Sequence, residues 1–244
     1  MQRKRGHPRR ERFSVPRLVF RARRRAVMKT GKPFSVRNLI LDWSGTVADD
    51  LAGVLRATNH VLVRYGAKPL TLDEFREHFS LPWIHFYRRR LPRVSEKDLD
   101  AAFWEIMRDE EDRVELLPHA RAFLEFARAR AMRVYICTSV APRSFESQVR
   151  RLNVGALIAR SYVGLVDKRD TIARILRENG LRPEETLFVG DMVHDLETAR
   201  HGGVRSCAVL TGYDRREKLA RAKPDLLVND LAELRARLES EGSR

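Results

Sequence analysis

The segment that most limits the fold is a short apolar run, Leu39-Ile40-Leu41, followed at once by Asp42-Trp43-Ser44-Gly45-Thr46. The run has the length of a buried strand, and the small residues after it predict a tight turn. Parallel sheets of α/β proteins bind their ligands at the carboxyl ends of strands, which is where Asp42 falls. The segment therefore predicts an α/β fold with a polar site at one edge of the sheet.

The second half of the chain alternates apolar runs with amphipathic stretches, which is typical of a parallel sheet with crossover helices. Further strands are predicted at residues 133–137, 161–163, 186–189, 206–210 and 225–228, and helices at residues 118–131, 142–152, 170–179, 194–201 and 231–239. We expect an α/β fold with a doubly wound, Rossmann-like parallel sheet.

Residues 50–117 interrupt this alternation with helical patterns alone. Thr71 and Glu74 have the spacing of a capping box, in which each side chain satisfies a free amide at the helix start. Ser95 is expected to open a further helix. The predicted division is a helical cap at residues 50–117, inserted into a core of residues 36–49 and 118–244.

The net charge of +15 is concentrated at one end of the chain. Residues 1–32 contain 13 of the 48 Lys and Arg residues and a single acid, Glu11. We expect residues 1–35 to be a basic, disordered extension, or an addition upstream of a true start at Met28. The run at residues 21–25 attracts polyanions through charge alone, because no aromatic residues are interleaved with it. Nucleic acid is therefore expected only as a weak partner of the extension.

The remaining composition indicates a globular protein, with 43% hydrophobic and 33% charged residues in a chain of 244. No apolar run approaches the ~20 residues that a spanning helix needs, so we expect no membrane partner. Cys137 and Cys207 lie in apolar runs without the paired spacing of a metal or redox site. Two reduced, buried thiols are expected in a cytoplasmic protein. The sequence sets no oligomeric state.

Polar residues stand at or just after the predicted strand ends, namely Asp42, Thr138, Lys168 and the pair Asp191 and Asp195. Together they resemble the haloacid dehalogenase-like superfamily over about residues 37–230. In that family a nucleophilic Asp precedes Gly-Thr, a Ser or Thr ends a later strand, a Lys follows, and a Gly-Asp motif carries another Asp four residues on. The resemblance implies a hydrolase similar to phosphoglycolate phosphatases, with a helical cap between the first two motifs.

The resemblance also implies a role for each position. Asp42 would attack phosphorus and carry an aspartyl-phosphate, which splits one displacement into two. Lys168 would neutralise the phosphoryl group and hold the carboxylates. Asp42, Asp191 and the main-chain carbonyl of Ser44 would hold Mg²⁺, which prefers oxygen ligands. Asp195 would lie in the metal's outer shell or bond to Lys168. The expected substrate contacts are Thr138, Ser139 as the alternative to it, Gly45, Thr46 and Trp83.

Ser44 departs from the family's phosphatases, which have an Asp two residues after the nucleophile. That Asp protonates the leaving oxygen, and such acid–base catalysis contributes about 10²–10⁴-fold. Ser44 therefore predicts hydrolysis limited to good leaving groups. Two alternatives stay open, a phosphate-binding or regulatory protein with little turnover and a phosphonate-cleaving hydrolase. The second needs a cap lysine, and the cap lysines, Lys68 and Lys97, do not lie in the comparable segment at residues 78–85.

Two further residues receive structural roles. Asp49 is expected to cap the first helix of the insertion. His194 is expected to point outward from the helix that follows the fourth motif. The favoured function is a Mg²⁺-dependent phosphatase whose partner is a small phosphorylated metabolite.

Overall fold

The computed structural model describes residues 35–241. The predicted basic extension lies outside this part of the chain, apart from its last residue. In chain order the strands are β1 (Asn38–Leu41), β2 (Ala48–Asp49), β3 (Glu115–Leu116), β4 (Arg133–Cys137), β5 (Arg160–Tyr162), β6 (Thr186–Gly190), β7 (Arg205–Val209) and β8 (Leu226–Val228).

Helices connect most of these strands. They are α1 (Leu51–Arg64), α2 (Leu72–His78), α3 (Trp83–Arg90), α4 (Glu96–Glu111), α5 (Ala120–Ala129), α6 (Pro142–Arg151), α7 (Ile172–Glu178), α8 (Val193–Gly202), α9 (Arg216–Arg221) and α10 (Leu231–Glu241). None of the helices described between residues 35 and 241 combines the length and the apolar character of a membrane span.

Six strands form one parallel sheet in the order β5-β4-β1-β6-β7-β8, with β1 near its centre. Alternation along β1 explains how both faces are covered. Leu39 and Leu41 pack with Phe123 of α5 and the neighbouring helices on one face, whereas Ile40 packs with Ile175 of α7 on the other. Because helices bury both faces, the predicted doubly wound α/β fold is confirmed.

The helices α1 to α4, which we call the cap helices, lie between β2 and β3. These two strands pair antiparallel, so the chain enters and leaves the cap helices at one place. The cap helices share an apolar cluster around Phe75 and Phe86, and Met192 and Tyr213 of the core belong to the same cluster. The cap helices therefore rest on the core near the carboxyl ends of its strands.

The predicted bounds of β4 agree with the structure to the residue, but several helices differ. The helix expected from Pro118 begins at Ala120, because His119 adopts a left-handed conformation with φ 68° at the N-cap. The helix expected from residue 170 begins at Ile172, because a 3₁₀ turn occupies Lys168–Asp170. Short elements such as α9 and β2 were missed, since two to six residues carry no clear periodicity.

Candidate active site

Neighbouring strands bring the predicted site residues to one edge of the sheet. Asp42 directly follows β1, Thr138 follows β4 and Asp191 follows β6. Leu41 pairs with both Ile136 and Val189, so these strand ends lie side by side. The central strands thus end where open α/β sheets bind ligands.

Lys168 is the central cation of this edge and is 1% exposed. Its Nζ lies 2.7 Å from an oxygen of Asp42 and 2.7 Å from an oxygen of Asp195. Burial disfavours the charged lysine, but the carboxylates of Asp195 and Asp42 outweigh it and raise the pKa of Lys168. Burial likewise raises the pKa of Asp42 to about 6, against the opposing effect of Lys168. The lysine therefore stays protonated between two carboxylates.

Asp191 is fully buried and is held by neutral donors. The Thr46 hydroxyl donates to its Oδ1 at 2.9 Å, and the Tyr213 main-chain N–H donates to its Oδ2 at 2.7 Å. Burial raises its pKa well above the usual value, and the charges of Asp42 and Asp195 add to the shift. Among the described residues, Asp191 has no Lys, Arg or His in ion-pair contact. A buried carboxylate in this state is costly unless a cation compensates it.

The acidic cluster fits a divalent metal. Asp42, Asp191 and Asp195 each offer an oxygen, and these atoms lie within 4.8 Å of one another. One buried lysine cannot balance three carboxylates, and hard oxygen donors suit a divalent cation such as Mg²⁺. Gly45 leaves room for this packing, because a Cβ there would lie 2.6 Å from Asp191 Oδ2.

The other predicted substrate contacts divide into two groups. Thr138, Ser139 and Trp83 line the cavity above Asp42. The Ser139 hydroxyl is buried without a hydrogen-bond partner in residues 35–241, whereas Thr138 Oγ1 accepts from Val140 N at 3.2 Å. Both remain able to bind a phosphoryl oxygen.

Gly45 and Thr46 are not among the residues that line this cavity, and their role as substrate contacts stays a prediction. The Gly45 N–H donates to Ala48 O at 2.8 Å, and the Thr46 hydroxyl is directed to Asp191. Both residues therefore support the acidic cluster, because their polar hydrogens already have partners.

Ser44 has an unexpected partner in Asp50, which the sequence interpretation overlooked. The Ser44 hydroxyl donates to Asp50 Oδ2 at 2.5 Å, and the Tyr213 hydroxyl donates to Asp50 Oδ1 at 2.9 Å. Asp50 is buried, and burial raises its pKa to about 6 despite both hydrogen bonds. Both Ser44 and Asp50 line the cavity. The Asp50 carboxylate therefore lies one hydrogen bond away from the side chain at position 44.

The cap role expected for Asp49 is wrong. Asp49 is exposed in β2, and Asp50 is the residue before α1, although its side chain makes no capping hydrogen bond. The signal that could have identified Asp50 is the acidic doublet itself. If one Asp of the doublet ends an exposed strand, the next points to the opposite side, toward the cavity.

His194 is also placed differently from the expectation, since it is buried rather than pointing outward. Its Nε2 accepts a hydrogen bond from the Lys168 main-chain N–H at 3.2 Å. Burial lowers the pKa of His194, which favours the neutral ring that this acceptor role requires. His194 therefore fixes the turn that presents Lys168.

A buried carboxylate paired with a buried lysine, beside an acidic cluster that fits a divalent metal, stands at the strand ends of a doubly wound α/β sheet, an arrangement typical of a hydrolase. The chain belongs to the haloacid dehalogenase-like hydrolase family, whose model matches residues 39–209. It is 26% identical to a phosphoglycolate phosphatase of Synechococcus elongatus, over 80% of this chain and 94% of the relative. It is 27% identical to a 5'-nucleotidase of Pseudomonas aeruginosa, over 83% of this chain and 96% of that protein.

The fold is also similar to solved structures of this class. A predicted phosphatase from Clostridium acetobutylicum superimposes with a TM-score of 0.75 at 14% identity, covering 84% of this chain and 99% of the other. The expectations of a haloacid dehalogenase-like fold and of a hydrolytic enzyme are thus confirmed.

Proposed function

We propose that the protein is a Mg²⁺-dependent phosphatase of small phosphate monoesters that uses Asp42 as its nucleophile. The observation that carries the proposal is the placement of Asp42. Its carboxylate lines the cavity, is held by Lys168 at 2.7 Å, and lies beside Asp191, which has no cationic partner within the part of the chain that is described. The relatives named as phosphatases support the same reaction class.

In the proposed reaction, an Asp42 oxygen forms a bond to phosphorus as the bond to the leaving oxygen breaks. Lys168 keeps the attacking carboxylate in place and offsets charge on the phosphoryl oxygens. Thr138 and Ser139 donate hydrogen bonds to those oxygens. Water then attacks phosphorus and releases Asp42. A bound Mg²⁺ would supply charge compensation and orient the phosphoryl group.

Asp50 stands in for the carboxylate that position 44 lacks. In the first step Asp50 is in its protonated form, which burial favours by raising its pKa to about 6. Its hydroxyl then donates to Ser44 Oγ across the same contact, reversing the direction of the bond to the carboxylate, and the Ser44 hydroxyl gives its own proton to the departing oxygen. In the second step the proton moves in reverse, from water through Ser44 to Asp50. This arrangement extends the reaction beyond the good leaving groups to which Ser44 alone would limit it.

The first experiment measures hydrolysis of an activated aryl phosphate with Mg²⁺, after chelation, and after Mg²⁺ is restored. We expect turnover to stop on chelation and to return with the metal. If no aryl or acyl phosphate is hydrolysed while inorganic phosphate still binds, the regulatory alternative replaces the proposal.

The second experiment tests Asp50. Asp50→Asn should lower kcat for alkyl phosphates about 10²-fold and lower it less for aryl phosphates, whose leaving oxygen needs no proton. The exchange variant Ser44→Asp/Asp50→Ser should recover alkyl hydrolysis. Equal losses for alkyl and aryl substrates would contradict this role of Asp50.

The phosphonate-cleaving alternative lacks its lysine. Lys168 is the only lysine among the described residues that line the cavity, and two carboxylates engage it. Lys68 and Lys97 lie elsewhere on the cap helices and their connections. The cavity therefore favours a phosphate ester over a phosphonate that would need a Schiff base.

A further inference from the structure

The cavity above Asp42 has a distinct cap side. Its volume of about 290 Å³ is near the lower end for sites that bind small organic molecules. Trp83, Phe103 and Trp104 line it from the cap helices, and each is only partly buried. Aromatic faces that stay open to a cavity are suited to a flat apolar group.

Cations are missing from this side. Among the described residues that line the cavity, Lys168 is the only Lys or Arg, and it pairs with Asp42 and Asp195. We call the cluster of Asp42, Lys168, Asp191 and Asp195 the floor. The charged residues contributed by the cap helices are the acids Asp100 and Glu111. A leaving group with its own carboxylate would meet two like charges and no partner, which opposes its binding.

The basic residues of α3 do not change this balance. Arg88 pairs with Glu96 outside the cavity, and Arg90 lies over the Phe86 ring at 4.3 Å. Neither residue lines the cavity. Both arginines therefore make contacts within the cap helices and their connections, and neither is placed to bind a ligand in the cavity.

Two polar groups on the cap side have spare hydrogen-bonding capacity. Thr58 and Tyr87 line the cavity, are buried, and lie close enough for Thr58 to influence the pKa of Tyr87. Neither hydroxyl makes a hydrogen bond of good geometry with another described residue. Burial raises the pKa of Tyr87 to about 12, so the phenol stays neutral. A buried hydroxyl pair of this kind favours a ligand that carries a donor or acceptor.

We propose that the leaving group is an uncharged alcohol that carries an aromatic ring and a hydrogen-bonding group, rather than a carboxylate such as glycolate. This inference rests on the proposed phosphatase function. Two sources share the chemistry, a simple aromatic alcohol and a nucleoside, so the experiment includes both.

The test compares kcat/KM with Mg²⁺ for benzyl phosphate, adenosine 5'-monophosphate, ethyl phosphate and phosphoglycolate. All four esters have alkyl leaving oxygens, so the comparison reports recognition more than leaving-group ability. We expect at least one aromatic substrate to exceed both others by about 10-fold or more. The better of the two identifies the source.

A phosphoglycolate value equal to or above both aromatic substrates would overturn the inference while leaving the phosphatase function intact. No hydrolysis of any of them, or of an activated aryl phosphate, would instead refute the proposed function.

Variants separate charge from shape. Asp100→Lys places a cation at the cavity on an exposed residue of α4, and we expect the phosphoglycolate-to-benzyl ratio of kcat/KM to rise about 10-fold. Asp109→Lys makes the same charge change on the same helix away from the cavity and should leave that ratio unchanged. Trp104→Ala should lower the benzyl-to-ethyl ratio about 10-fold. A rise with Asp109→Lys equal to that with Asp100→Lys would show that net charge, not the cavity, selects the substrate.

Discussion

The floor and the cap side of one cavity carry charge in opposite ways. On the floor, Lys168 and Asp42 are almost fully buried and bonded to each other. Asp191 is buried there with no Lys, Arg or His paired to it in residues 35–241. On the cap helices, pairs such as Arg64 with Glu105 remain about half exposed. Buried charge is retained at a cost of several kcal/mol, whereas exposed pairs cost and contribute little. We therefore infer the reaction from the buried charges of the floor. We infer the chemistry of the leaving group from the apolar faces of the cap helices.

The largest effect is expected at Asp42, the proposed nucleophile of the floor. Asp42→Asn removes the attacking oxygen while keeping the size of the side chain, so turnover of an aryl phosphate should fall at least about 10³-fold. Steady-state rates with saturating Mg²⁺ measure this. Asp49→Asn changes an exposed carboxylate seven residues along and should retain activity. Equal turnover in the wild type and Asp42→Asn would show that Asp42 is not the nucleophile.

Removing the floor's cation should destabilise the fold. Lys168→Met leaves Asp42 and Asp195 buried without their ion pair, which typically costs about 3–5 kcal/mol. Denaturant unfolding without metal measures the free energy. Lys97→Met, on the exposed surface of α4, should change it by no more than about 0.5 kcal/mol. If the two variants unfold alike, water rather than Lys168 compensates the floor.

Metal binding gives a second measure of the difference between the floor and the cap side, because Asp191 has no cationic partner among the described residues. Mg²⁺ at about 100 times its dissociation constant should raise the free energy of unfolding by about 2.7 kcal/mol. Asp191→Asn should remove most of this increment. Asp214→Asn should keep it, because Asp214 is buried nearby but bonds to Lys218 at 2.6 Å. An increment that survives in Asp191→Asn would place the metal elsewhere.

The floor was largely predictable from the sequence, because local signals determine it. The apolar run before Asp42 sets β1, and parallel strands must bring their carboxyl ends together. An acid just after the buried strand at 186–189 is costly unless it meets a cation, so the sequence alone indicates Asp191.

The cap side was not predictable, because its contacts join distant segments. Helical periodicity predicts that Trp104 shares a face of α4 with apolar neighbours, but not that this face lines a cavity. The hydrogen bond between Ser44 and Asp50 depends on how residues 44–50 fold back on themselves, which no periodic pattern predicts. Tyr213 contacts both Asp50 and Asp191 from a loop that carried no recognised motif.

The smallest expected effect tests the cap helices by pH. Glu110 of α4 accepts a hydrogen bond from Arg56 Nε of α1 at 3.0 Å, and hydrogen bonding by Arg56 lowers the pKa of Glu110 below its usual 4.5. A lowered pKa means that the folded state favours the carboxylate, so the stabilisation is present above pH 4.5 and is lost as the pH falls through the lower folded value. Because Arg56 is 54% exposed, Glu110→Gln should cost only about 1 kcal/mol at pH 7 and less than that at pH 3. Thermal unfolding at both pH values measures the difference.

Glu105→Gln, which removes a more exposed pair between the same helices, should give a smaller change at pH 7. If Glu110→Gln cost as much as Lys168→Met, the cap helices would depend on buried charge as the floor does, and the contrast between the two sides would fail.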